Sequence, residues 1–448
     1  MTASVVRGAI AVSLLAFALA AAPARADTDE VARLQQQLAA LEQRMAELER
    51  RLARAEARSD RPEPASVPRR SFEDVLVDTA VLGVAVTGAE RIEEARIQEA
   101  PEPEPIRFGG ALRFNHFFRE DVKDSRTRRG DSGFNLFRLN VDGEIRDIIL
   151  SAEYRYTPDM DVLRHGWIGY RFDDDSMFKL GIHRVPFGLL PFASHNFWDG
   201  VPFYAGFADN HDIGVAYERR DGPWDFNLAF YKNEELGSAG TLARYAPDVV
   251  REGEQQNEEI NRFNARVAYT LGRETGCEHE FGISGQRADL FNATTSSRGS
   301  HWAAAGHLDS RCGRWNVQLQ GVRYVYDPDN PEGVSNDMVR LGAFGTSFDL
   351  AARGKLAVAN VAYNFDLTGR WLDQLVCYNN YSRLFKDVGG GRDSELNTVG
   401  CGVGAGPLFA YVDLIFARNM LFFGDGSMVD SDDDRWRGRF NINLGYYW

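Results

Sequence analysis

The sequence predicts an all-β chain: a transmembrane antiparallel β-barrel of about 16 strands, preceded by an N-terminal α-helical coiled coil and a linker. Three observations carry this. From Arg107 onward, segments of about ten residues alternate in polarity, the period expected of barrel strands. The connections alternate too, short turns on one side and mostly long polar segments on the other, which a soluble β-sandwich has no reason to do. The chain ends on Trp448, with Tyr446, Leu444, Ile442 and Phe440 at every second position before it. Composition fits. Aromatics make up 12% of residues and the mean hydropathy is −0.36, as expected where only alternate strand residues face lipid.

The N-terminus implies export. Arg7 precedes an apolar run from Ala9 to Ala22, and Ala24-Arg25-Ala26 forms a small-x-small cleavage site. That order marks residues 1–26 as a secretory signal peptide. The run falls short of the roughly 20 residues a spanning helix needs, which weighs against a membrane anchor. After it there is no second long apolar stretch, which excludes a helical membrane protein.

Residues 27–58 read as a coiled coil. Val31, Leu34, Leu38, Leu41, Met45, Leu48, Leu52 and Ala55 alternate spacings of three and four, with Glu, Gln and Arg between them. A heptad seam buries itself against another helix, and the chain has no second heptad, so the partner is another copy. Leu at both seam positions leaves two or three copies open; a single amphipathic helix lying on something else is the alternative. Residues 59–105 form a Pro/Glu-rich linker, with Pro62, Pro64, Pro68, Pro101, Pro103 and Pro105 flanking an apolar middle at Val75–Val86.

Residues 106–448 form the barrel. Strands are expected at 107–118, 133–145, 147–157, 162–173, 176–184, 211–220, 223–233, 260–271, 278–289, 298–310, 313–326, 356–366, 371–385, 394–406, 408–419 and 436–448. Short turns fall at Arg146-Asp147, Asp173–Asp175, Asp221-Gly222, Gly272–Gly276, Arg311-Cys312, Thr368–Arg370 and Gly406-Pro407. Alternation turns Arg113, Arg138, Arg155, Lys179, Arg262, Arg266, Arg437 and Arg439 into the lumen. The same rule turns Asn140, Asp142, Glu144, Glu153, Asp212, Asp225 and Glu280 inward. A wall of guanidinium groups offers bidentate sites to carboxylate or phosphate and repels cations. The alternative is that these arginines pair with the lumen acids and hold the wall.

The four cysteines, Cys277, Cys312, Cys377 and Cys401, are disulfide candidates in an exported chain. Cys277 with Cys312, and Cys377 with Cys401, are plausible cross-strand neighbours in this register. A net charge of −14 argues against a nucleic-acid partner. The chain lacks GxSxG, HExxH, Walker and GxGxxG motifs, so enzyme chemistry and a cofactor are not expected. Neither Cys277-Glu278-His279-Glu280 nor the acidic stretch Asp425–Asp434 has a metal-site spacing.

The stretch Lys179-Leu180-Gly181-Ile182-His183-Arg184-Val185-Pro186-Phe187-Gly188 resembles the strand-to-loop motif of the phosphate-selective porins of the O and P type. The resemblance covers roughly residues 107–448. The coiled coil before the barrel is similar to dicarboxylate-type porins. The resemblance implies a homotrimer of sixteen-stranded outer-membrane barrels that passes small anionic solutes. It also implies a loop folded into each pore, here Leu189–Asp209 with Phe192, Phe197, Trp198, Phe203, Tyr204 and Phe207. A loop folded over the mouth is the alternative. The family's phosphate specificity depends on lysines and an arginine ladder in the pore; this sequence departs from it, with arginine plentiful and Lys179 the one lysine placed on a lumen face. A second function class remains: a structural anchor whose coiled coil and linker reach through the periplasm toward peptidoglycan. Trimeric adhesins also join coil to barrel, but supply about four strands per chain behind a long passenger segment, unlike this sequence.

Overall fold

The computed structural model describes residues 106–448, apart from 238–239, 368–370 and 389. The expected signal peptide, coiled coil and linker lie outside the described residues. In chain order the strands are β1 (Arg107–Arg119), β2 (Asp131–Ile145), β3 (Ile148–Tyr156), β4 (Asp161–Asp173), β5 (Ser176–Arg184), β6 (His211–Asp221), β7 (Trp224–Glu234), β8 (Asp248–Val249), β9 (Asn257–Leu271) and β10 (Cys277–Asn292). They continue as β11 (Arg298–Cys312), β12 (Trp315–Asp327), β13 (Met338–Ala343), β14 (Thr346–Ala351), β15 (Arg353–Asn364), β16 (Gln374–Lys386), β17 (Ser394–Ala405), β18 (Leu408–Arg418) and β19 (Trp436–Tyr447). All but β8, β13 and β14 close one antiparallel barrel of sixteen strands, β1 pairing with β19. The expected strands correspond to these sixteen, with ends shifted by a few residues. The turn expected at Arg311-Cys312 falls instead at Gly313-Arg314, because the β11–β12 ladder runs on to Cys312 opposite Trp315.

Period-two alternation places apolar side chains outside. Phe108, Leu112, Phe114, Ile168, Leu180, Leu228, Phe263 and Ile283 are exposed, Ile283 by 70%. Inward positions of the barrel strands carry Asn140, Asn264, Gln286, Gln318, Asn360, Asn380 and Asn441, all buried. An apolar outside around a polar inside inverts the order of a water-soluble protein and suits a lipid surround. An aromatic girdle sits at the short-turn end. Trp224 meets Tyr269 with ring centroids 4.6 Å apart, Trp315 meets Tyr363 at 4.7 Å, and Tyr170 meets Phe172 at 5.2 Å.

Closure depends on the last residues. Gly110 N–H donates to the Trp448 carbonyl at 3.0 Å. A Cβ at residue 110 would lie 2.5 Å from the Trp448 ring, so only glycine lets the terminal indole lie across β1. Disulfides join Cys277 to Cys312 and Cys377 to Cys401, each across a directly opposed pair in the β10–β11 and β16–β17 ladders.

One expectation needs correction. The connections after β7 and β12 were expected to be polar and irregular, yet they build a three-stranded sheet in the order β14-β13-β8. Val339 and Leu341 on β13 face Leu350 and Phe348 on β14, and all four are buried. These residues join Phe203, Phe207, Tyr324 and Met428 in one apolar cluster. The sheet's other face carries the partly exposed ion pair Arg340–Asp349 (2.6 Å), and its strands are too short for their alternation to stand out in the sequence.

Candidate functional site

The segment between β5 and β6, residues 185–210, crosses the lumen. It leaves and returns at one point, where Val185 N–H donates to the Asn210 carbonyl at 2.8 Å. Wall side chains then hold it at successive strands. Gly188 N–H donates to Ser284 Oγ of β10 (2.9 Å) and Leu189 N–H to Gln320 Oε1 of β12 (2.6 Å). Asn360 Nδ2 of β15 donates to the Ala193 carbonyl (2.8 Å), and His195 N–H donates to Asn380 Oδ1 of β16 (2.8 Å). Val201 N–H donates to Ser382 Oγ (2.9 Å). The short inward side chains of the wall therefore act as donors and acceptors for loop backbone, which a buried loop requires.

The loop aromatics divide. Phe192, Phe203, Tyr204 and Phe207 are buried; Phe203 stacks on Tyr245 and Phe344, and Phe207 lies 4.9 Å from Tyr324. Phe197 and Trp198 are half-buried and turn toward the β1–β19 wall.

All eight cations expected in the lumen occupy inward strand positions, but their partners differ. On the β2–β11 side each has a carboxylate. Glu153 receives Arg155 (2.5 Å) and Arg164 (3.4 Å), with Arg138 at 3.9 Å. Arg262 lies 2.5 Å from Glu259 and also pairs with Asp212. Arg266 reaches Glu280 (2.5 Å) and donates to the Gly188 carbonyl of the crossing loop (2.9 Å). Lys179 pairs with Glu218 at 2.8 Å.

The node that ties the loop down was not foreseen. Asp209, at the loop's end, accepts two hydrogen bonds from Arg164 (2.8 and 2.6 Å), one from Arg184 (3.0 Å) and one from the Tyr245 hydroxyl (2.6 Å). These bonds hold Asp209 in a left-handed backbone conformation, φ 47°. Simple alternation from Ile168 and Tyr170 puts Arg164 on the lipid face. A β-bulge between Glu153 and Tyr154 in the β3–β4 ladder shifts the register and swings Arg164 inward.

The β1–β19 wall is different. Among the described residues, Arg113 and Arg439 have no carboxylate within ion-pair distance. Arg113 lies 5.4 Å from the Phe197 ring; Arg439 lies 3.8 Å from Phe423 and 5.6 Å from Trp198, and donates to the Phe422 carbonyl. Ladder pairs order this wall as Arg119–Arg439, Phe117–Asn441, Asn115–Asn443 and Arg113–Gly445, a column roughly 20 Å long at about 3.4 Å per residue. Along it, Nε of Arg113, Arg119 and Arg439 and Nδ2 of Asn441 are buried donors with no acceptor among the described residues. Arg437, at the outer end, is neutralised by Asp433 at 2.5 Å, and that bond holds the Asp433 carboxyl below its ordinary range.

No family model matches the sequence, and no curated protein matches it. Solved structures do resemble the fold. OmpF of Salmonella typhi in complex with daunomycin is 10% identical, with a TM-score of 0.51 over 77% of this chain and 97% of that one. OmpT of Vibrio cholerae is 15% identical (TM-score 0.48; 78% and 100% covered). The anion-selective porin of Comamonas acidovorans is 10% identical (TM-score 0.46; 77% and 99% covered). The likeness to OmpF is one of fold, and this chain's fold is a closed antiparallel barrel of sixteen strands.

Proposed function

We propose that this chain is an outer-membrane porin through which small anionic solutes, phosphate or carboxylates, diffuse passively. The observation that carries the reading is the pair Arg113 and Arg439, inside the lumen with no carboxylate within ion-pair distance among the described residues, opposite the half-buried rings of the crossing loop. Guanidinium charge that the protein itself does not neutralise attracts anions and raises the barrier to cations. The solute path runs between this wall and the loop at Phe197 and Trp198, which narrows it. The arginines of the opposite wall set the local field less, because each lies against a carboxylate, Glu153, Asp212, Glu259 or Glu280.

The barrel works as a homotrimer in the bacterial outer membrane, its coiled coil in the periplasm. The outer face of β9–β15 supports close approach of a second barrel. It is built of small residues, Ala265, Gly285, Ala304, Gly306, Gly321 and Ala359. A Cβ at Gly306 or Gly321 would touch nothing within the chain, so the barrel itself has no need of glycine there. Small residues let two surfaces pack closely in lipid. Replacing both glycines with leucine converts trimer to monomer on semi-native gels; retained trimers place the interface elsewhere.

Channel recordings in planar bilayers under a salt gradient test the transport reading. Conductance in steps of three, an anion-favouring reversal potential and block by phosphate or dicarboxylate are expected. The double variant Arg113→Ala, Arg439→Ala loses most of the anion preference. A folded, heat-modifiable barrel that conducts nothing overturns the porin reading. It leaves the structural anchor, which the heptad of residues 27–58 and the extended linker favour, with peptidoglycan as partner.

A further inference from the structure

Away from the solute path, three carboxylates meet at the long-loop end of the barrel. Asp212 lies near the start of β6, Glu235 directly after β7, and Asp248 on β8. One oxygen from each lies within 4.8 Å of the others, and all three residues are buried. Asp212 Oδ1, both Glu235 oxygens and Asp248 Oδ2 are buried and receive no hydrogen bond. The remaining oxygens are occupied. Arg262 donates to Asp212 Oδ2, and Asn210 Nδ2 donates to Asp248 Oδ1 at 2.9 Å. Each aspartate is thus oriented by a neighbour and keeps one oxygen without a hydrogen bond beside the other carboxylates, the way outer partners orient metal ligands; Arg244 Nη1 lies 3.6 Å from Asp248 Oδ2 and from Glu235 Oε2.

Charge points the same way. Arg244 and Arg262 are the guanidinium groups paired with Asp212, Glu234, Glu235, Asp248 and Glu259, while His301 caps Glu259 at 2.5 Å. Carboxylates outnumber cations. A small cavity of about 10 Å³ opens beside Asp212 and Asp248, lined also by Tyr231, Glu234, Glu259 and Arg262. That is room for about one water-sized species, the size of a single bound ion.

We infer that Asp212, Glu235 and Asp248 form a site for a hard divalent cation of the calcium class. Oxygen-only ligands without His or Cys select calcium over zinc or copper. Asp212 Oδ1, both Glu235 oxygens and Asp248 Oδ2 supply four oxygens, and water completes the shell. The ion staples the strand β8, and through it the small sheet, to the barrel wall at β6. Asn210 extends the tie to the end of the lumen-crossing loop. The inference is independent of what the channel carries.

The test uses the purified full-length protein in detergent, stripped of metal. Calorimetric titration with Ca²⁺ is expected to show saturable binding of a single ion per chain, with Mg²⁺ at least tenfold weaker. Ca²⁺ raises the thermal midpoint and a chelator reverses the rise. Glu235→Gln and Asp248→Asn each weaken calcium at least tenfold. Glu235→Gln without calcium is as stable as the metal-free wild type or more so, since it removes a buried charge. Wild-type protein that takes up no calcium and whose midpoint ignores it overturns the inference, as does a calcium response that survives both substitutions. If a variant fails to fold, the wild-type titration decides alone.

Discussion

The two sides of the lumen use arginine in opposite ways. On the β2–β11 side each inward cation is matched, with Glu153 alone gathering Arg138, Arg155 and Arg164. On the β1–β19 side Arg113 and Arg439 meet rings and backbone instead. Sequence spacing is the same on both sides; what differs is whether an acid on another element reaches across. A paired buried charge is chiefly structural, and removing one partner is costly. A charge that the protein leaves unmatched remains available to whatever enters the lumen.

The sharpest way to break this contrast is Glu153→Gln. It strands buried guanidinium groups and is expected to cost about 3–5 kcal/mol, read as a lower unfolding midpoint in detergent. Arg439→Ala should cost less, about 1.5–3 kcal/mol, the scale of one hydrogen bond to a charged group. Equal losses would erase the distinction between the walls. Next in size is Asp209→Asn. It weakens the charge-assisted bonds that Arg164 and Arg184 make to the loop's end, worth about 1.5–3 kcal/mol each. Noisier single-channel current at unchanged barrel content is expected; quiet current would mean the wall contacts at Asn380 and Ser382 suffice.

Asp433→Asn is a smaller change, below about 1 kcal/mol, because the Asp433–Arg437 pair lies at the rim. Its pH dependence follows from the lowered carboxyl of Asp433. The stabilisation is present above the unfolded aspartate value of about 3.9. It is lost as pH falls through the lower folded value, so wild type and variant converge in acid. A difference that persists there would assign the effect to packing. Last, removing Arg266 and Glu280 together, both to Ala, should leave the reversal potential within scatter, since a matched pair goes. A marked drop in anion preference would return the β9 arginines to the solute path.

The barrel was legible because lipid enforces period two along every strand, and Ile168, Tyr170, Phe172 or Phe440, Ile442, Leu444 display it directly. The inward faces of Arg113, Arg262 and Arg439 followed from the same rule. Three things did not. Arg164 was hidden by the bulge that reverses parity at that point. The pairing of the arginines depends on strand neighbours and on Asp209, 45 residues away from Arg164 in sequence. The sheet of β8, β13 and β14 has only two to six residues per strand, too few for its alternation to be told from an irregular loop.

The Val185–Asn210 hydrogen bond closes the crossing segment into a ring with a single attachment point on the wall. Entry and exit coincide, so β5 and β6 pair with each other whatever the ring contains. The ring is in effect a cartridge in a fixed housing. Its length and side chains can drift under selection for a new solute while the sixteen strands stay put. Grafting another barrel's segment between residues 185 and 210 is the corresponding engineering move.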